Sequence, residues 1–350
     1  MKINVLIAGV GGASLGTELI KCLVLKKKIY NIFVCDISEL AYGLFEDTVK
    51  KAYLSDREKY WESIKKICLD AKIKVIIPGG EQPMRLLNPY INELKQLGII
   101  LALNSVDVVT LCSNKANLFK LLEKNGIPVP KTYSGLNEDV LSKISFPCII
   151  KPSEDSGGSD FVSLVNDRES AKIFAEQIMK SGRNPIFQEY LPLTDGEYSF
   201  SVLSSPSGEL FGGIGIKKNF NIKLMHTFKS HEILISSGYS QGLISTFPKL
   251  FRQVCRISKL LKSCGPLNIE GRVINGKFYT FEINPRFSGS GYLWAKAGFN
   301  EVDYFVRLLC NLPVKKKTLI TEGFYLRSLT EKFIPNSKIR MIKSFLKKSK

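Results

Sequence analysis

The stretch at residues 266–286, PLNIEGRVINGKFYTFEINPR, constrains this chain more than any other. It reads as two strands meeting at Asn275-Gly276, a strong hairpin signal. On the first strand Leu267, Ile269 and Val273 alternate with Asn268, Glu270 and Arg272. On the second, Phe281 and Ile283 alternate with Glu282, Asn284 and Arg286. Period-two alternation gives one apolar face for a core and one polar face toward a cleft. A surface hairpin with solvated charges is the plain alternative, but it does not explain why the polar residues fall on one parity.

Two carboxylates and an amide on one face are hard oxygen donors. Mg²⁺ takes a few of these and completes its shell with water and phosphate oxygens. This set is Glu270, Glu282 and Asn284, and Arg286 beside it suits negative charge developing on a transferring phosphoryl group. Register decides whether the set can assemble. A two-residue turn of Asn275 and Gly276 alone pairs 270 with 281 and puts the two glutamates on opposite faces. An odd-length turn, with Gly276 in a left-handed bulge, pairs 270 with 282. The sequence therefore predicts a bulged turn.

Composition sets the outer limits. The 350 residues are enough for two or three domains with proper cores, and 44% hydrophobic with 23% charged residues is ordinary for a globular protein. No uncharged apolar run reaches the roughly 18 residues of a membrane span, and the start, MKINVLIAGVGGASLG, fits a first β-strand better than a signal peptide. Eight scattered cysteines without C-x-x-C pairs fit a reducing cytoplasm. The net charge of +18 comes from lysines spread along the chain, without a zinc finger, RNP-type motif or arginine-rich arm. No nucleic-acid partner is expected. Solvated lysines account for the charge, with steering of anionic ligands second.

Residues 1–104 alternate strands (3–8, 31–35, 73–77, 99–103) with helices (14–26, 57–71, 84–97), the pattern of a parallel sheet with crossover helices. The turn GVGGASLG and Asp36 form an imperfect dinucleotide fingerprint, since Ser14 stands where the third glycine belongs. A helix capped by Ser113 runs to Gly126, and IPVPK follows as a stiff linker. Residues 129–187 read as a small α/β unit. Strands near 186–191, 197–205, 209–216 and 222–230 and a helix at about 248–263 lead into the hairpin, and a helix near 301–310 follows it.

Lys151 ends an apolar strand and precedes a glycine-rich loop containing Ser156, Gly157, Gly158 and Ser159, whose backbone N–H groups can close over phosphates. Lys115 sits in the first turn of its helix, where a cation opposes the macrodipole; a solvated lysine is the plain reading, and a phosphate contact would explain why the mismatch is tolerated. Glu189, Tyr190 and Leu191 form an extended segment that can offer backbone groups to an adenine edge. Glu197 can accept from ribose hydroxyls, though periodicity alone makes each of these a plain strand residue.

In their order, SNKANLFKLLEKNGIPVPKT, FPCIIKPSEDSGGSD, IFQEYLPLTDGEYSF and GPLNIEGRVINGKFYTFEINPRFSGSG resemble the ATP-grasp superfamily. The similarity is to the branch of the carbamoyl-phosphate synthase large subunit and biotin carboxylase. The resemblance implies an α/β chain with a Rossmann-like pre-ATP-grasp domain (1–110) and a two-subdomain ATP-grasp domain (111–310, lid 129–187). A basic C-terminal extension (311–350) follows. It implies that Lys115 and Lys151 hold the ATP phosphates under the lid loop 156–159. Glu189 with the backbone of Tyr190 and Leu191 would meet adenine, and Glu197 the ribose. Glu270, Glu282 and Asn284 would hold Mg²⁺, or Mn²⁺ in its place, with Lys151 and Arg286 as the catalytic cations. In the carbamoyl-phosphate branch the Glu270 position is commonly glutamine, and an acid there should bind Mg²⁺ at least as well. The implied reaction is ATP-dependent, ADP-forming ligation of a small-molecule carboxylate to an amine through an acyl phosphate. A homodimer stays open. The remaining readings are an NAD-binding oxidoreductase using the first glycine-rich turn and a basic nucleic-acid-binding protein.

Overall fold

The computed structural model describes residues 2–11, 15–154, 161–229, 233–315 and 319–344. Strand and helix alternate first: β1 (Ile3–Ala8), α1 (Leu15–Val24), β2 (Tyr30–Asp36), β3 (Lys51–Leu54), α2 (Tyr60–Asp70), β4 (Val75–Pro78), α3 (Glu81–Leu87), α4 (Ile91–Gln96) and β5 (Ile100–Leu101). The strands run parallel in the order β3-β2-β1-β4-β5. Val5, Leu6, Ile7, Val75, Ile76 and Ile77 are fully buried, as a strand covered on both faces requires. β3 was not expected: KAYL is four residues long and carries little strand signal.

The glycine-rich turn after β1 is a packing device. A Cβ on Gly79 would stand 1.8 Å from the Gly9 carbonyl oxygen, and one on Gly16 would stand 2.0 Å from it. The end of β4 and the start of α1 close on β1 only because both positions are glycine. Asp36 accepts from the backbone N–H groups of Val10 (2.7 Å) and Ser38 (2.9 Å). The acid that a dinucleotide site needs for ribose is thereby tied into the fold.

Next come α5 (Val106–Ser113) and α6 (Lys115–Lys124). The cap of α6 is Asn114, not Ser113: its side chain accepts from Asn117 N at 3.0 Å. Ser113 instead ends α5, donating its hydroxyl to Val109 O at 2.8 Å. The small unit holds β6 (Thr132–Ser134), α7 (Glu138–Lys143), β7 (Cys148–Pro152), β8 (Ser163–Val165), α8 (Arg168–Lys180) and β9 (Pro185–Glu189). Its antiparallel sheet has the order β6-β9-β7-β8.

The large unit follows with β10 (Glu197–Ser204), β11 (Leu210–Lys218), β12 (His226–Lys229), β13 (Leu234–Ser236), β14 (Gly242–Ser245), α9 (Pro248–Leu260), β15 (Pro266–Ile274), β16 (Lys277–Asn284), α10 (Gly291–Lys296) and α11 (Glu301–Leu309). After these come β17 (Gly323–Tyr325), α12 (Asn336–Arg340) and β18 (Lys343–Ser344). Its antiparallel sheet has the order β16-β15-β10-β11-β14-β17. β18 pairs in parallel with β3, so the chain past 310 adds an edge strand to each large sheet instead of standing apart. One sheet face packs under α9, where Phe200 meets Phe247, Phe251 and Phe278 at centroid distances of 6.2, 6.4 and 5.6 Å. Each such buried ring contributes about 2 kcal/mol. On the other face Ile214, Ile216 and Ile244 share a core with Trp294, Phe305 and α1, which joins the two large sheets. The rest of that face is polar.

The hairpin corrects one expectation and meets its purpose. Its turn is a tight two-residue loop, Asn275 (φ 51°) and Gly276 (φ 73°), between the paired Ile274 and Lys277. The extra residue lies inside the ladder. Gly271 pairs with Thr280, but Glu270 pairs with Glu282, so Phe281 is bulged out. A Cβ at Gly271 would meet Tyr279 O at 2.4 Å and the Phe278 ring at 2.6 Å, so only glycine allows this crowding. The bulge thus does what the turn was expected to do.

Candidate active site

The bulge sets the geometry of the site. It places Glu270 directly across from Glu282, and the freed carbonyl of Phe281 accepts from Lys151 Nζ at 3.2 Å. Lys151, at the end of β7, also donates to Gln188 Oε1 at 2.8 Å. The first residue of α6 is anchored to the same strand end, with Lys115 N donating to Ser153 O at 2.9 Å. Two lysines therefore converge. Burial, then the charge of Lys115, push the Lys151 ammonium down to about 7, and Glu282 only partly restores it.

Lys115, Lys151, Glu189, Tyr190, Leu191, Glu197 and Glu282 line one cavity with about 760 Å³ of empty volume, its apolar walls including Ile149, Val162 and Leu234. The Leu191 carbonyl accepts from Arg272, whose guanidinium lies 5.2 Å from the Tyr190 ring centroid. The Tyr190 hydroxyl accepts from Leu234 N at 2.8 Å, so what Tyr190 can offer a base edge is its backbone. The exposed Glu189 side chain accepts from Lys131 N at 3.2 Å. The proposed lid residues Ser156, Gly157, Gly158 and Ser159 lie outside the described residues.

Glu197 is fully buried, with Oε1 on Lys218 Nζ (3.0 Å) and Oε2 on Arg272 Nε (2.9 Å). A ribose hydroxyl would have to share oxygens that are already engaged. Burial acts to raise its carboxyl, but Lys218 and Arg272 outweigh this and hold it below the ordinary range. Lys218 also donates to Glu270 Oε2 at 2.6 Å. Lys217, its neighbour, alternates to the other face and stands over the Tyr198 ring.

The donor set fits a hard cation. Glu282 and Asn284 share a face, with Asn284 Nδ2 donating to Glu282 Oε1 at 3.2 Å. Burial, the first cause, lifts the Glu270 carboxyl, and the nearby Glu282 adds to the rise against Lys218. Burial also acts to raise Glu282, but Lys151 and Lys115 overcome it and leave the group lowered. Such a facing pair of carboxylates gains from a shared cation. Among the described residues no group of three or more His, Cys, Asp or Glu stands together. Two carboxylates and an amide are the sparse set that suits Mg²⁺ with phosphate and water.

Arg286 is held from the parallel-sheet side: Nη2 donates to Glu81 Oε1 at 3.0 Å and Nη1 to Phe287 O at 2.9 Å. Its Nε is buried without a partner among the described residues. Glu81, Lys115, Glu282 and Asn284 line a second cavity of about 940 Å³ of empty volume beside the first. Glu81 was not picked from the sequence, where it is one acid at the start of a helix. Glu301, also missed, is buried on α11 and accepts from Ser201 and from Ser288 N; burial pushes its carboxyl up to about 7.

Two adjoining cavities thus share Lys115 and Glu282 in an α/β fold, with Glu270 across the ladder from Glu282. The sequence model of the ATP-grasp domain matches residues 112–290, just over half of the chain, and the chain belongs to that family. Its members are ATP-dependent, ADP-forming enzymes that use Mg-ATP. The carbamoyl phosphate synthase large chain of Thermoplasma acidophilum is 25% identical over 249 residues, covering 67% of this chain and 23% of that protein. The chain spans about a fifth of the length of the curated relatives it matches. Two solved structures share the fold. A biotin carboxylase–beta-gamma-ATP complex from Campylobacter jejuni has a TM-score of 0.67 at 14% identity, covering 91% of this chain and 74% of that one. N5-carboxyaminoimidazole synthetase from Staphylococcus aureus, complexed with ADP, has a TM-score of 0.65 at 16% identity, covering 91% and 81%. No helix among the described residues is long and apolar enough to cross a membrane.

Proposed function

We propose that this chain ligates a small-molecule carboxylate to an amine using Mg-ATP. A carboxylate oxygen takes the γ-phosphoryl group as its bond to ADP breaks; the amine nitrogen then attacks the acyl carbon, phosphate leaves, and the amine loses a proton. The carrying observation is the Phe281 bulge, which sets Glu270 against Glu282 beside Lys151. When bound, Mg²⁺ would neutralise phosphate oxygens and hold them for in-line transfer. Glu270, Glu282 and Asn284 would hold the metal, and Lys115 and Lys151 would face the phosphates. Arg286, aimed by Glu81, would offset charge on the transferring group. Leu191 N and the neighbouring backbone would meet adenine. The domain limits that go with this reading are a Rossmann-like 1–110, an ATP-grasp 111–310 with lid 129–187, and a C-terminal 311–350. An NAD site is not favoured, because both oxygens of Asp36 already accept backbone N–H groups.

The direct test is ADP release from Mg-ATP with pools of amino acids, sugar acids and amines. At least one carboxylate-plus-amine combination should raise release well above the protein alone. A protein that binds no Mg-ATP overturns the proposal.

Lys151 gives a pH signature. With its ammonium near 7 in the free protein, it is largely neutral at pH 8 and charged at pH 6. A triphosphate favours the charged form, so Mg-ATP binding at pH 8 should take up a fraction of a proton, and at pH 6 almost none. Calorimetry in two buffers of different ionisation enthalpy reads this. Uptake that persists in Lys151→Met would assign the proton elsewhere.

A further inference from the structure

A cavity of about 1310 Å³ of empty volume lies where α1, α10 and the chain past residue 325 meet, and the roles given above do not use it. Six side chains carry its chemistry: Glu18, Lys21, Tyr42, Tyr239, Tyr292 and Arg327. Glu18 is shared by two cations, with Lys21 Nζ 2.9 Å from Oε1 and Arg327 Nη2 3.0 Å from Oε2. The only other acid in the wall, Glu331, lies at the exposed rim. The buried charges of the wall are thus the Arg327–Glu18 pair, and Lys21, 43% exposed, adds a second cation toward the opening.

The cations are held in place. Arg327 lies 5.2 Å from the Tyr239 ring centroid, and Lys21 lies 5.7 Å from that of Tyr292. Arg327 Nη2 also donates to Gly289 O at 2.7 Å, and its side chain is 15% exposed. Its Nε and Nη1 donate to no protein acceptor among the described residues. The Tyr239 hydroxyl is buried without a partner. Nη2 is occupied twice, so the donors left on Arg327 lie on different edges and each can meet one oxygen of an anionic group, with the Lys21 ammonium beside them; three tyrosines form a wall for an apolar or aromatic body. Gly289 lies three residues past Arg286, so Arg327 is fixed to the loop that leaves the catalytic hairpin.

We propose that this cavity binds the amine substrate and that this substrate is an amino acid. Its carboxylate, which is not the group activated, pairs with Arg327 and Lys21; its side chain lies among Tyr42, Tyr239 and Tyr292; its amine faces the Gly289 loop and Arg286. The proposal rests on the ligase reading above. It assigns the C-terminal segment a place in substrate recognition. A purely cationic amine would add positive charge beside Arg327 and Lys21, which share the one carboxylate of Glu18.

The test is calorimetric titration of the full chain, with Mg-ADP present, against the twenty L-amino acids, their decarboxylated amines and aminomethylphosphonate. At least one amino acid should bind, with its decarboxylated amine about tenfold weaker or worse, as expected on losing a charge-assisted pair. Arg327→Gln should weaken that amino acid by a similar factor and Arg327→Lys should recover part of it. If Arg327→Gln fails to fold, Lys21→Gln carries the same comparison. Equal binding of acid and amine, preference for the phosphonate, no binding of any amino acid, or an unweakened variant overturns the assignment. Mg-ATP titrated alone separates the two claims. A protein that binds nucleotide but no amino acid loses only this cavity's role, and one that binds no nucleotide loses the ligase reading.

Discussion

Glu282→Gln is expected to cut ADP release from Mg-ATP by more than about a hundredfold while the protein stays folded. The glutamate acts through the cation it would hold, and losing part of the cationic stabilisation of developing phosphoryl charge typically has this size. Glutamine keeps the acceptor for Asn284 Nδ2, so the hairpin loses no hydrogen bond there. What disappears is the carboxylate that faces Glu270 across the bulge and balances Lys151 and Lys115. The thermal midpoint of the free protein should move by only a few degrees, about what 1 kcal/mol does in a chain this long. Glu270→Gln should be milder, because Lys218 already neutralises part of that carboxylate at 2.6 Å. Unchanged ADP release by Glu282→Gln, measured with a coupled assay under saturating nucleotide, would sink the metal assignment.

Lys218→Met should give the largest loss of stability, about 3–5 kcal/mol by chemical denaturation, because it leaves buried carboxylates without their cation. Lys218 is shared by Glu197 and Glu270, and its side chain and that of Glu197 are 2% and 0% exposed. The pH dependence separates this cause from lost packing. In the native protein the Glu197 carboxyl is held below its ordinary 4.5, so its contribution is present above that value and lost as pH falls further. In Lys218→Met the burial that acts to raise Glu197 has only Arg272 against it. The carboxyl rises, and the variant regains stability as it protonates. The deficit should therefore shrink between about pH 8 and pH 5. A loss below about 1 kcal/mol, or one that stays constant with pH, would show that the pair contributes little.

The hairpin shows how far a sequence carries. Alternation gave the two faces, and Asn-Gly gave the place of the turn. The shift of register was required by the chemistry, yet its location was misjudged, because Asn-Gly is a local signal and Phe281 carries none. Gly271 was the readable hint: a glycine between Glu270 and Arg272 weakens a strand unless backbone must come close. Ser113 and Asn114 are both good caps, and only the joint between α5 and α6 separates them. Asp36 looked like a ribose acid because its position at the end of β2 is right, and its hydrogen bonds from Val10 and Ser38 are invisible without coordinates.

The sequence alone determined the alternating first sheet, the polar face of the hairpin, the lysines at the ends of β7 and the start of α6, and so the family. These depend on periodicity, capping and turn chemistry, which act over a few residues. The tertiary structure alone decided which charges are engaged. Glu197 is held between Lys218 and Arg272, Glu81 reaches Arg286 across 205 residues, and Arg327 reaches Glu18 across 309. An ionic partner is defined by separation within about 4 Å, where the interaction energy is large. Distance between segments so far apart in the chain exists only after folding.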